Sequence, residues 1–362
     1  MTQIYFVLFK ATIFWHSACM NLQSRPSLYA QSLDEIKDFL VANDQSRHLA
    51  PMVYESLYKK TVSQQFSEKT LKLLDDHFHR TIPEIVSVKK AEDGTVKFLM
   101  QFEDGKKVET VLIPFFKRFT VCLSSQVGCA MKCSFCYTGT QGLTRHLKAH
   151  EIIGQYLQAK KFLEENSAAD TSVMTPNIVL MGQGEPLHNF DEVKKALEIM
   201  LNPLGLALGP RQITLSTAGF LPGLKRFNDL PKVNLALSLH SPFNEVRKTL
   251  IPITGQYPLE DIFQALDEVK LMKRQFVTYE YLLIDGINDR DEDVEELHKI
   301  LGNRKAIINI IPFNPFPGSD FKRPSTAQVD LFKEKLVAKN LRTLIRTTKG
   351  SDILAACGQL VS

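Results

Sequence analysis

Long apolar runs, an excess of one charge, internal repeats and low-complexity segments are all missing from this 362-residue chain. The apolar opening stretch, residues 1–20, is interrupted by Lys10, has no basic segment ahead of it and is too short to span a bilayer. It is therefore read neither as a membrane span nor as a secretory leader. Met20 opens a more ordinary polar sequence, so a mis-assigned start or disorder is expected over residues 1–31, and a cytosolic location for the rest. Lys plus Arg exceed Asp plus Glu by only 44 to 40, and a net charge of +4 does not by itself announce nucleic acid. Four of the six cysteines are clustered at metal-ligand spacing, which argues against a secreted disulfide scaffold and for a reducing compartment. Hydrophobic residues make up 44% of the chain, enough for a sizeable core, and the length suggests roughly two domains.

What is present has a clear order. Residues 32–82 read as a small helical domain: in "SLDEIKDFLVAN", Ser32 and Glu35 stand at capping-box spacing, with Leu33, Ile36 and Leu40 on one face. Over residues 83–118 the period changes to two, and Asp93-Gly94 and Asp104-Gly105 mark the turns of a three-stranded meander. From 119 to 362, strand candidates at 120–123, 178–181, 213–216, 233–239, 278–284 and 306–311 alternate with helical stretches. That alternation predicts an α/β fold with a parallel sheet, either doubly wound or curved. Cys129, Gly184-Glu185, Ser216, His240 and Asn314 all fall at or just after the C-terminal ends of these strands, the catalytic face of a (β/α) barrel.

The stretch "CLSSQVGCAMKCSFCYTGTQG", Cys122 to Gly142, holds four of the cysteines, three of them in a CxxxCxxC pattern: Cys129, Cys133 and Cys136. Three thiolates could belong to a structural zinc completed by Cys122, His146 or His150, or to an iron-sulfur cluster that keeps one iron open for a reacting ligand. Spacing alone leaves both open. Between Lys106 and Lys148, seven Lys or Arg face one acid, Glu109, a basic collar that suits a phosphate-bearing substrate. Taken singly, the remaining motifs are ambiguous. "GQGEPL" lacks the third glycine of a dinucleotide fingerprint, Ser216 and Asn314 are ordinary cap or turn residues, and Cys357 between Ala356 and Gly358 reads as an inert small residue.

Together, "CLSSQVGCAMKCSFCYTGTQG", "QGEPLHN", "ITLSTAG", "ALSLHSPFNEVRKTLIPI", "IIPFNPFPGS" and "AACGQL" resemble the RlmN-type RNA adenine-C2 methyltransferases of the radical S-adenosylmethionine superfamily, collinearly from about Ser32 to Leu360. The family commonly has "GMGEPL" where this chain has Gln183. The resemblance implies a partial (β/α)6 barrel and one 4Fe-4S cluster on Cys129, Cys133 and Cys136. S-adenosylmethionine would be bound by Gly184, Glu185, Ser216, Ser238, Leu239, His240 and Asn314. The implied substrates are an adenine in the peptidyl-transferase region of 23S rRNA and the adenine beside the anticodon in certain tRNAs. A flavodoxin-like electron donor and a monomeric enzyme are expected with them.

C2 of adenine is electron-poor and cannot attack a methylsulfonium directly, so a radical route is needed. As the resemblance implies, one S-adenosylmethionine methylates Cys357. A second is cleaved reductively, and the radical formed takes a hydrogen from that S-methyl group, whose carbon adds to C2. Cys122 then resolves the adduct through a transient disulfide with Cys357, and Glu109 matches the family's proton acceptor. Cys122 is a rival for that proton. Two other readings stay open: a Cfr-like enzyme acting on C8 of the same adenine, against which "GEPL" rather than "GEAL" speaks, and a non-catalytic, zinc-stabilised RNA-binding protein.

Overall fold

A computed structural model describes residues 25–59, 66–115, 118–166 and 176–362. The expectations for residues 1–24 therefore lie outside the described residues. Three short helices come first: α1 (Leu33–Ala42), α2 (Leu49–Tyr58) and α3 (Glu68–His77). The Ser32 hydroxyl accepts from Glu35 N (3.1 Å), and Ser32 N donates to the Glu35 carboxylate (2.6 Å), the reciprocal cap that the spacing predicts. Ile36 and Leu40 on the inner face of α1 are fully buried, and they belong to the same continuous apolar core as the main sheet.

The three meander strands are β1 (Glu84–Lys90), β2 (Val96–Gln101) and β3 (Lys107–Phe115), all antiparallel. Asp93 and Asp104 shape the two turns by accepting from Thr95 N (2.9 Å) and Lys106 N (3.0 Å). β3 then pairs antiparallel with β4 (Arg118–Cys122), so meander and barrel strands form one sheet. A separate two-stranded ribbon, β5 (Gln126–Gly128) and β6 (Leu143–His146), follows, and α4 (Ala149–Asn166) comes after it.

The sheet continues in parallel through β7 (Asn177–Leu180), β8 (Ile213–Thr217), β9 (Asn234–Ser238), β10 (Val277–Leu283), β11 (Ala306–Pro312) and β12 (Thr343–Ile345). The complete order is β1-β2-β3-β4-β7-β8-β9-β10-β11-β12, an open sheet. Strands β4 and β7–β11 correspond to the six expected. β12 adds a seventh parallel strand. The runs "NLALS" and "VTYEYLL" are largely buried on both faces, with Ser238 and Glu280 turned to the cavity side. Leu180 of β7, Ser216 of β8, Ser238 of β9, Glu280 of β10 and Ile311 of β11 line a single cavity, so the sheet curves around its C-terminal ends.

Candidate active site

The cysteine loop is closed at its base by backbone geometry. Gly128 has φ +75°, and a Cβ there would lie 1.9 Å from Gly142 O, so only glycine fits where the two ends of the loop meet. Cys129 N donates to Gly142 O (2.8 Å) across this junction. Cys129, Cys133 and Cys136 then all line one cavity of about 150 Å³. Burial pushes the Cys129 thiol up to about 12, the Cys133 thiol well above its ordinary value, and Cys136 upward. Thiols so placed are protonated at neutral pH and would lose their protons on taking up iron.

Three thiols are the donor count of a cluster with an open iron and one short of the four ligands that a structural zinc takes. The other candidate zinc ligands are engaged elsewhere: His146 Nδ1 pairs with the Gln126 amide (3.0 Å), and His150 packs edge-on against His79. Cys122 faces a different cavity.

Around the three thiols the strand ends bring together Gly184, Glu185, Ser216, Ser238 and His240. Glu185 is buried. Its carboxylate accepts from Ala218 N (2.7 Å) and Leu187 N (3.0 Å), yet burial outweighs these bonds and raises it to about 7. A buried carboxyl poised near neutrality, with no cation paired to it among the described residues, suits the ammonium group of an amino acid ligand. His240 stands at φ +57° and accepts from Leu282 N through Nδ1 (3.0 Å). Burial first, and then the nearby Arg247 charge, depress it to about 3, so the ring is neutral with its proton on Nε2. Phe135, the aromatic residue before Cys136, packs edge-on against it at 4.7 Å.

Two expected contacts sit differently. The Leu239 side chain is fully buried in the main core and only its backbone is near the site. Asn314 lines a neighbouring, larger cavity, where its amide donates to Cys357 O (3.2 Å).

That second cavity, of about 510 Å³, holds Cys122 and Cys357, both free thiols. Cys357, Cys136, Met181 and Arg346 line both cavities, so Cys357 stands at the passage between them. Burial lifts Cys122 to about 12; the neighbouring Cys357 adds to this and Arg346 opposes it. Arg346 donates to Met181 Sδ (3.6 Å), and the Cys357 sulfur is the largest influence holding its guanidinium charged.

Glu109 lines neither cavity. Its carboxylate pairs with Lys97 Nζ (2.8 Å) and accepts from Val361 N (2.9 Å), and burial raises it against the pull of Lys97. The apolar face shared with Val111 and Ile113 is present, but the carboxylate is turned toward the segment that carries Cys357.

Two arginines at the site are not among the residues expected from the sequence. Arg247 is fully buried and donates to Leu239 O (3.0 Å), Ala218 O (2.7 Å), Ser238 O (2.8 Å) and Thr254 Oγ1 (2.6 Å), tying the ends of β8 and β9 together. Its motif, "SPFNEVRKTLIPI", is visible in the sequence, whereas its burial is not. Nothing local marks Arg346.

Comparison with known proteins identifies the family. Residues 123–299 match the Radical SAM superfamily. The chain is 39% identical over 353 residues to a probable dual-specificity RNA methyltransferase RlmN of Syntrophomonas wolfei, covering 95% of this chain and 99% of that relative. It is 45% identical to the dual-specificity RNA methyltransferase RlmN of Syntrophobacter fumaroxidans, over 77% of this chain and 80% of that one. A crystal structure of a radical SAM methyltransferase from Sphaerobacter thermophilus superposes with a TM-score of 0.84 at 35% identity, covering 92% and 99% of the two chains.

Proposed function

Since the chain belongs to the RlmN family of dual-specificity RNA methyltransferases within the radical SAM superfamily, we propose that it methylates C2 of adenine in 23S rRNA and in tRNA through an S-methylated Cys357. The observation that carries this reading is the position of Cys357 on the wall shared by the two cavities. A carbon on its sulfur reaches toward the three-cysteine loop on one side and toward Cys122 on the other.

The smaller cavity is read as the cofactor site. Cys129, Cys133 and Cys136 would hold a 4Fe-4S cluster, which when bound supplies the electron that opens S-adenosylmethionine. Glu185 takes the ammonium group of that cofactor, and Ser216, Ser238 and the neutral His240 offer polar contacts around it. Arg247 fixes the two strand ends that carry them. The larger cavity is read as the site of an unpaired, flipped adenine.

Cys357 accepts a methyl group by displacement at its sulfur, in a wall that Arg346 shares. After hydrogen loss from the S-methyl group, its carbon bonds to C2 and joins protein to RNA. Release follows when Cys122 attacks the Cys357 sulfur. Before that attack the adduct gives up its unpaired electron and the C2 proton. In the attack the carbon-sulfur bond breaks and its electron pair leaves with the carbon, which takes up a proton to become the methyl group. A disulfide forms, and an external reductant returns two electrons to reset the pair. The C2 proton goes to Glu109 once Val361 N–H frees its carboxylate, or to Cys122. RNA substrates and a reducing requirement suit a monomeric enzyme of the cytoplasm; no described helix is long and apolar enough to cross a membrane.

Nucleoside mass spectrometry on RNA carrying deuterium at adenine C2 tests the regiochemistry. The label is expected to be lost from the methylated adenosine. Retention at C2, with the methyl group elsewhere on the ring, would point to C8 chemistry.

A further inference from the structure

The segment bearing Cys357 has no regular strand or long helix to hold it, so its position depends on individual hydrogen bonds. Several come from the cysteine loop: Tyr137 N donates to Gly358 O (2.7 Å) and Thr138 Oγ1 donates to Leu360 O (2.7 Å). Farther along, the contacts converge on one side chain that the proposed chemistry does not use. Gln183 is fully buried in the turn just before Gly184-Glu185. Its backbone is fixed there, with N donating to Ser124 Oγ (2.9 Å) and O accepting from Ser125 N (2.8 Å) and Gln126 N (3.2 Å).

Its amide reaches three other elements at once. Oε1 accepts from Glu109 N on β3 (2.8 Å), while Nε2 donates to Gln141 Oε1 at the end of the cysteine loop (3.2 Å) and to Ser362 Oγ (3.1 Å). The triangle is closed by the Gln141 amide, which donates to Ser362 O. Ser362 Oγ also donates to Lys107 O (2.9 Å), and Val361 N donates to Glu109 Oε2. An apolar side chain of the same length would leave the buried Glu109 N–H without its acceptor and the Ser362 hydroxyl without its donor.

We infer that Gln183 is a positioning residue for Cys357: its side chain registers segment 353–362 against β3 and the cysteine loop, and so holds the sulfur at the passage between the two cavities. This rests on the reading of Cys357 as the methyl carrier. It adds a role for a residue of the cofactor turn whose side chain points away from the cofactor cavity.

The test is amide hydrogen exchange, read by mass spectrometry on the cluster-loaded full-length protein, for peptides covering 353–362. In Gln183→Met these amides are expected to exchange roughly fivefold faster, the effect of one lost hydrogen bond on a local opening equilibrium. Ser362→Ala should do the same, and the double variant should exchange more slowly than the product of the two single effects, because the Gln183–Ser362 contact is lost only once. In steady state, kcat should fall while KM for S-adenosylmethionine stays within about twofold, a split that general loss of structure would not produce. Unchanged exchange in Gln183→Met, or effects of the two substitutions that multiply, would overturn the inference. Should Gln183→Met fail to fold, unchanged exchange in Ser362→Ala overturns it alone. Exchange does not depend on methyl transfer, so an unmethylated Cys357 in the parent protein would count against the carrier reading and not against this contact.

Discussion

Lys97→Met removes the cation from the most deeply buried ion pair near the site. Lys97 and Glu109 are 5% and 6% exposed, with Nζ and Oε1 2.8 Å apart, and Lys97 Nζ also donates to Leu354 O (2.9 Å). Stripping one partner from a buried pair costs about 3–5 kcal/mol. Glu109 has an escape, because it can take up a proton. For a carboxyl with an ordinary value of 4.5, protonation at pH 7 costs about 3 kcal/mol and at pH 5 less than about 1 kcal/mol. These figures cap the electrostatic loss. The missing bond to Leu354 O adds about 1 kcal/mol at either pH. The variant should therefore be less stable than the parent by about 4 kcal/mol at pH 7 and by about 2 kcal/mol at pH 5. The sign follows from linkage: with Lys97 gone, the folded value of Glu109 rises further above 4.5. The stability gained by protonation is then complete below 4.5 and is lost as the pH rises through the raised folded value. Urea unfolding of both proteins at the two pH values measures the difference. An equal loss at both would refute a charged origin for the pair's contribution.

Three further outcomes are expected. Glu185 ionises at about 7, so S-adenosylmethionine should bind roughly tenfold more tightly at pH 8 than at pH 6, and Glu185→Gln should flatten that dependence in calorimetric titrations. The unliganded stability runs the other way, since the raised carboxyl favours the fold most below 4.5 and loses that contribution as the pH rises through about 7. Cys122→Ala should still acquire a methyl group on Cys357 but stall with RNA attached, giving a slow-migrating adduct on denaturing gels; normal turnover without adduct would remove Cys122 from the release step. Metal analysis of anaerobically purified protein should find about four irons per chain with matching sulfide, lost in Cys133→Ala, whereas zinc without iron would reinstate the structural-zinc reading.

Much of the framework was legible because its signals are local. The Ser32 cap, the two Asp-Gly turns and six of the seven parallel strands rest on short-range chemistry or on continuous apolar runs. β12 escaped notice because three residues carry no readable period, and the β5–β6 ribbon because "QVG" sits inside the cysteine stretch with no alternation of its own. At the site, residues carried by motif came together where strand ends converge. Side chains defined by register did not announce themselves. Lys97 meets Glu109 only because Leu99 pairs with Glu109 and Lys97 with Val111, a diagonal relation set by the β2–β3 register. Nothing local in the sequence marks the buried Arg247 or the half-buried Arg346, since their surroundings come from elements far along the chain. Gln183 was visible as a departure at one position, but its partners Glu109, Gln141 and Ser362 come from three other segments.

The most direct test of the central claim is peptide mass spectrometry of Cys357 after the cluster-loaded protein has been incubated with S-adenosylmethionine carrying a deuterated methyl group. A deuterated methyl on the Cys357 sulfur, lost on turnover with RNA and found in 2-methyladenosine, is the predicted result. A Cys357 that stays unmodified while RNA is methylated would contradict it.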